Sequence, residues 1–404
     1  MHNFKHIEGG ITAATGFKAC GIEAGIKYAD RKDLALLVAD APCVVAALYT
    51  SNKVAAAPVR IDRERTVSGI AQAIVMNSGN ANACTGETGL KNALAMTQLT
   101  AETLGLDSSL ALVCSTGVIG VNLPMKQVAA GIKLAAAALS PDGGHAAACA
   151  IMTTDTVEKE FAVELEIDGH LIVIGGMAKG SGMIDPSMAT MLAFISTDAV
   201  IDADNLDMAL RAAAELSFNR LVVDGDQSTN DTVIVMASAV GGNNALSPQH
   251  PEWTKFLDAF NSVCIELGKK IVMDGEGATK FVTVNVSGAA SEKDAGLAAR
   301  AVAKSPLVKT SWFGIDPNWG RLIAALGYSG AAVDEDKVQI YIGDEVAYDK
   351  GRVAEPDELN KMQEIMKARA FNVNINLNLG YGCDTIYTCD LSHDYVSINA
   401  EYTT

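Results

Sequence analysis

Histidine is scarce in this sequence, closely spaced cysteine pairs are missing, and no apolar run reaches the ~20 residues that a membrane helix needs. Each absence removes a class of chemistry. Of the six histidines (His2, His6, His145, His170, His250, His393), only His2 and His6 stand four residues apart, which leaves little for a histidine triad or a helical metal pair. Eight cysteines are scattered without a CxxC. Cys114 in ALVCSTG and Cys149 in HAAACA have apolar neighbours, so they read as small buried hydrophobes in a reducing compartment, and neither disulfides nor structural zinc are expected. Basic residues are outnumbered 31 to 48, and the net charge of -17 repels nucleic-acid backbones and anionic membranes. The start, MHNFKHIEGGITAATGFKAC, does not have the charged-then-apolar layout of a signal peptide, so a cytoplasmic location is expected. The GxSxG, HExxH and GxxxxGK[ST] motifs do not occur, and the pairs Gly180/Gly182 and Gly380/Gly382 lack the third glycine of a dinucleotide fingerprint. Neither a metal nor a bound cofactor is expected.

What remains is a large apolar fraction, 49%, in 404 residues, enough for two or three packed units. LALLVAD and CVVAALYT read as two strands of a hairpin around a proline-containing turn, and AQAIVMN as a further strand before the NSGNANACTG loop. Leu90, Ala93, Leu94, Thr97, Ala101 and Leu104 share one helical face, and ALVCSTG reads as a buried strand ending in a turn. A helix follows Pro124. FAVELEI and HLIVIGG flank Asp168-Gly169, a hairpin signal. TMLAFIS, RLVVDGD and TVIVMASA read as strands around an amphipathic helix from Asp204 to Leu216. Near Lys280 the texture changes to a regular alternation: KFVTVNV, EKDAGLAARAVAK, LVKTSWFG, NWGRLIAALG, KVQIYIG and EPDELNKMQEIMKA. The last thirty residues, including YVSINAEYTT, have strand character and no polar tail.

The stretch KGSGMIDPSMATMLAFISTDA sets a glycine-rich turn, an Asp-Pro and a small-residue pair in front of Thr190. Gly180 and Gly182 permit unusual dihedrals, and Asp185 before Pro186 is pushed out of the helical region. If the bond between Ala189 and Thr190 is cut, Thr190 acquires an α-amine with a pKa near ~7.8, against ~10.4 for a lysine, a gap worth roughly 3.5 kcal/mol of easier deprotonation. A hydroxyl and its proton acceptor then belong to one residue, the N-terminal threonine form of nucleophile activation. From these residues alone, a turn leading into a core strand is the plainer reading.

MNSGNANACTG, CSTGVIG, MTTDT, KGSGMIDPSMATML, DGEGATK, DPNWGR and INAEYTT, in this order from residue 76 to the end, together resemble the ornithine acetyltransferase family, the bifunctional glutamate N-acetyltransferases of arginine biosynthesis. The resemblance implies self-cleavage between Ala189 and Thr190 into pieces 1–189 and 190–404 that stay together, two of each in the assembly. It implies that Thr190 takes an acetyl group from N-acetylornithine and hands it to glutamate, with acetyl-CoA as a further possible donor. Thr116 and Gly117 correspond to the oxyanion donors, a role in which one donor is typically worth ~3 kcal/mol. Thr153, Lys179, Thr190, Glu276, Asn399 and Thr404 correspond to substrate-binding positions, with Thr154 an alternative to Thr153. Lys179 suits the α-carboxylate shared by ornithine and glutamate, and Glu276 the cationic end of ornithine. Asn77, Asn80 and Asn82 read as a tight loop lining the site.

The expected architecture is α/β, with sheets layered between helices in a layout similar to the N-terminal-nucleophile hydrolases. Residues 1–280 would form the catalytic domain, 281–390 a second, smaller α/β domain, and 391–404 a segment returning to the active site. Two other readings stay open. One is an amidohydrolase or aminopeptidase in which water resolves the acyl-enzyme; the other is an amino-acid-binding oligomer with Thr190 left internal.

Overall fold

The computed structural model describes residues 4–27, 29–185 and 191–401. It is a mixed α/β structure built on two sheets. The first has nine strands, eight of them in the order Lys5–Ile7, Lys159–Ile167, His170–Lys179, Leu192–Thr197, Thr232–Ala237, Leu34–Tyr49, Ile70–Asn77 and Ala111–Ser115, with Phe17–Ile22 also paired to Leu34–Tyr49. Its middle strands Leu192–Thr197 and Thr232–Ala237 are buried at every residue. Successive side chains leave a strand on opposite faces, and here they enter two different cores. Ala193, Ile195, Val233 and Val235 pack with Leu206, Phe256 and Phe260 of the helices Ala203–Leu216 and Trp253–Met273. Phe194, Ile234 and Met236 pack on the other face with Ala147, Ala148 and Ala150 of the helix Gly144–Ala150. Both faces being covered, TMLAFIS and TVIVMASA are unbroken apolar runs instead of alternating ones.

The segments LALLVAD and CVVAALYT differ from expectation. They form one sixteen-residue strand, Leu34–Tyr49, and Asp40, Ala41 and Pro42 are exposed where the register with Ile70–Asn77 shifts between Val38 and Cys43. Pro42 has no N–H to give, and it lies at the irregularity, where no ladder bond is lost.

The second sheet orders its seven strands Arg352–Val353, Glu345–Asp349, Gln339–Ile342, Ala370–Asn376, Phe281–Ala289, Gly382–Cys389 and Leu221–Val222. Helices Glu292–Lys304, Pro306–Phe313 and Trp319–Gly327 share its core, which includes Trp312, Val284 and Ile386. The terminal segment differs from expectation as well: His393–Glu401 is a helix with no buried residue. The sheet edge beside Gly382–Cys389, which a following strand would have joined, is already taken by Leu221–Val222. Among the described residues, no helix is long and apolar enough to cross a membrane.

Candidate active site

A small cleft, with about 100 Å³ of enclosed space, opens where the ends of strands Ala111–Ser115 and His170–Lys179 meet the loops before Thr232 and after Met273. Thr116, Gly117, Thr153, Lys179, Glu276 and Asn399 all line it. Ala189, Thr190 and Thr404 lie outside the described residues.

The turn after strand Ala111–Ser115 is fixed by the NSGNAN loop. Thr116 N–H donates to Asn77 O at 3.0 Å and Val118 N–H to Gly79 O at 3.4 Å. Ser115 Oγ donates to Asn77 Oδ1 at 2.6 Å. Asn77, Asn80 and Asn82 spend their amide N–H groups on the carbonyls of Asn80, Val121 and Gly89, so these three side chains brace the loop, and it is Ala81 that reaches the cleft. With Thr116 N–H engaged, the donor that Thr116 can offer is its hydroxyl. Gly117 has φ +128°, and among the described residues its N–H makes no hydrogen bond.

Lys179 ends strand His170–Lys179 and is buried, its ammonium donating to Thr153 Oγ1 at 2.7 Å and Thr116 Oγ1 at 3.4 Å. Burial pulls this ammonium below the usual lysine range, opposed by the charge of Asp155. Thr154 also lines the cleft, but its hydroxyl pairs with Ser181 Oγ at 2.7 Å, so of the two threonines it is Thr153 that meets Lys179. Glu276 follows the C-terminus of helix Trp253–Met273; its N–H donates to Ser181 O at 2.8 Å, and its Oε2 accepts from Asn399 Nδ2 at 2.7 Å.

Between Lys179 and Asp185 the unusual dihedrals fall at Gly180, φ +153°, and at Met183, φ +57°. Gly182 instead leaves room for the Glu276 carboxylate: a Cβ there would come 2.5 Å from its oxygens and push that side-chain end aside. A left-handed Met is strained. It is held by Asp224, whose carboxylate accepts from Met183 N at 2.6 Å and Ile184 N at 3.0 Å. Asp185 pairs with Lys304 at 2.5 Å, which pins this segment to a helix of the second sheet's layer.

Ser228, Thr229 and Asn230 line the cleft without having been singled out from the sequence. Asn230 Nδ2 donates to Ala81 O at 2.7 Å and Ser115 O at 2.9 Å, tying the NSGNAN loop to the turn that carries Gly117. The adjacent Asp231 is buried and accepts from Met191 N at 2.8 Å, and burial raises its carboxyl well above the usual range. Among the described residues, no group of three or more His, Cys, Asp or Glu side chains could hold a metal ion.

A family model described as the ArgJ family matches residues 18–404. The arginine biosynthesis bifunctional protein ArgJ of Symbiobacterium thermophilum is 51% identical over 400 residues, covering 98% of this chain and 99% of that protein. The protein of the same name from Geobacter sulfurreducens is 50% identical over 389 residues, covering 96% and 99%. Among solved structures, a crystal structure of the arginine biosynthesis bifunctional protein from Bacillus halodurans matches with a TM-score of 0.50 and 44% identity, covering 52% of this chain and 98% of its own.

Proposed function

We propose that this chain, which belongs to the ArgJ family, moves an acetyl group from N-acetylornithine to glutamate by a two-step route through an acetyl-enzyme on Thr190. The observation that carries this reading is the convergence in one cleft of the Lys179 ammonium, the Glu276 carboxylate and the Gly117 turn. A cation and an anion facing one small space suit an amino acid that bears both charges. In the first step the Thr190 hydroxyl attacks the acetyl carbonyl and its α-amine accepts the proton. The oxyanion meets Gly117 N–H and the Thr116 hydroxyl. The amide C–N bond then breaks, the proton passes to the departing nitrogen, and ornithine leaves. In the second step the glutamate amine attacks the ester, the amide forms, and the hydroxyl regains its proton. Both amino acids carry an α-carboxylate for Lys179, and Glu276 with Asn399 receives the side-chain ammonium of ornithine.

The nucleophile arises by cleavage between Ala189 and Thr190. Supporting this, the solved Bacillus halodurans chain is matched over nearly its whole length yet spans only half of this one, the extent of a fragment. The assembly contains two copies of each piece and works in the cytoplasm. The relatives' shared description as bifunctional supports acetyl-CoA as a second donor. We divide the chain into a catalytic unit, 1–280, a second α/β unit, 281–390, and a segment 391–404 that returns to the site; six of the seven strands of the second sheet begin after residue 280, and Asn399 lines the cleft.

The deciding experiment measures ornithine release from N-acetylornithine with and without glutamate. Glutamate should accelerate release and appear as N-acetylglutamate. Release that ignores glutamate would mean that water is the acceptor and the enzyme is an amidohydrolase. The Thr190→Ala protein should stay a single chain by intact mass and transfer nothing, whereas Thr190→Ser should retain some of both activities.

A further inference from the structure

Behind the cleft, four charged side chains pack almost out of reach of solvent: Asp155, Lys159, Lys179 and Asp274. Lys159 is fully buried, and its ammonium has three donors with three acceptors: Asp155 Oδ1 at 2.7 Å, Asp274 Oδ2 at 2.6 Å and Val157 O at 3.2 Å. It has nothing left to offer a ligand, and it does not line the cleft. What it does is determine how its neighbours are used.

Asp155 stands between two lysines. Its Oδ1 accepts from Lys159 and from Gly180 N at 2.7 Å, and its Oδ2 from Thr153 N at 2.9 Å. The Lys179 ammonium stays 3.8 Å from Asp155, beyond hydrogen-bond range, and turns to the hydroxyls of Thr153 and Thr116 on the cleft wall. On the other side, Asp274 takes Lys159 and Thr156 N on Oδ2 and the Thr156 hydroxyl on Oδ1, two residues before Glu276. One ammonium thus grips both the carboxylate beside Lys179 and the loop that carries Glu276.

We propose that Lys159 is a positioning residue for acetyl transfer: by holding Asp155 it leaves the Lys179 ammonium free for the substrate carboxylate, and by holding Asp274 it keeps the Glu276 loop in register with Lys179. Without the Lys159 charge, Asp155 is a buried carboxylate whose nearest cation is Lys179, and a buried charge of this kind captures the partner within reach. Lys179 then closes the 3.8 Å gap and leaves the cleft wall. This inference rests on the reading that Lys179 meets the substrate carboxylate.

The test compares N-acetylornithine with N-acetylputrescine, the same donor without its carboxylate, in the processed enzyme. The ratio of the two kcat/KM values measures what the carboxylate contributes, and being a ratio within one protein it is unaffected by incomplete folding or processing. Lys159→Met should lower that ratio about tenfold or more, the loss of one charge-assisted contact, mostly through KM for N-acetylornithine. Lys159→Gln removes the charge while keeping a donor, and carries the same expectation if the Met protein does not accumulate. Lys159→Arg should recover part of the ratio. A residue that only supports the fold would lower both kcat/KM values together, so an unchanged ratio in Lys159→Met or Lys159→Gln overturns the proposal. Lys179→Met separates the two readings. If it too leaves the ratio unchanged, the assignment of Lys179 to the carboxylate fails; if it lowers the ratio and the Lys159 variants do not, the inference about Lys159 alone fails.

Discussion

At Gly117 the backbone leaves no room for a side chain. Its φ of +128° is disfavoured for any L residue with a Cβ, and a Cβ built there would come 2.5 Å from the Asn80 nitrogen, with the Gly79 backbone equally close. Neither neighbour is a flexible side-chain end, so Gly117→Ala must shift the turn. Loss of one oxyanion donor corresponds to about 10²–10³ in kcat, and that drop is expected in N-acetylornithine consumption by folded Gly117→Ala protein. A kcat within about threefold of the parent would remove Gly117 from the chemistry, since such a change is far below what one donor supplies. The position was legible because CSTGVIG is a motif with a fixed order of residues. Asn230 was not, because its two acceptors, Ala81 O and Ser115 O, lie 149 and 115 residues away and no local spacing encodes them. A Ser-Thr-Asn run between two strands reads as an ordinary turn.

Among the elements, the helix His393–Glu401 is held differently from the others. None of its residues is buried, so packing contributes little to its place; Asn399 Nδ2 reaches Glu276 at 2.7 Å and Tyr395 OH reaches Asp224 at 3.3 Å. Asn399→Ala should therefore leave the melting midpoint within about 2 °C, as for an exposed substitution, yet raise KM for N-acetylornithine by about threefold to tenfold through the freed Glu276 carboxylate. A large fall in the midpoint with KM unchanged would make the helix a structural strap instead. Elsewhere the spacing rules succeeded where a buried face is unambiguous and failed where it is not. TMLAFIS gave a strand because apolar residues on both faces leave few alternatives over six residues. In helix Gly86–Leu104, by contrast, Leu90 and Leu94 are exposed and the buried stripe runs through Ala93, Met96, Thr97, Thr100 and Ala101. The face that packs is chosen by small residues and a methionine, and at 3.6 residues per turn a count of leucines points about a sixth of a turn away. YVSINAE alternates like a strand, but the edge it would join is occupied. That is a property of the whole sheet, which a seven-residue window does not contain.

Taken as a whole, the molecule is interleaved across the proposed cleavage point. Strand Leu192–Thr197, after it, pairs antiparallel with His170–Lys179, before it, from Lys179↔Leu192 to Ile174↔Thr197. Strand Thr232–Ala237 pairs with Leu34–Tyr49 over six residue pairs in the same sheet. The core beneath mixes Val163, Ile172 and Ile174 with Leu206, Phe256 and Phe260, all fully buried. Each such side chain is worth roughly 1.5–3 kcal/mol on burial, so separating the pieces would expose the centre of a sheet and not a docking surface. Cutting the chain changes its connectivity and leaves these contacts in place. The two pieces should therefore elute together on size exclusion in 1 M NaCl, where a Debye length of about 3 Å removes most of the help from exposed ion pairs. They should part only in denaturant, in one transition, with tryptophan fluorescence and far-UV circular dichroism coinciding if the interleaved sheet melts as a unit. Release of either piece by salt alone would show that the fragments are held by surface charge, and with it the account of how a cleaved chain keeps Lys179, Glu276 and Thr190 in one active enzyme would fall.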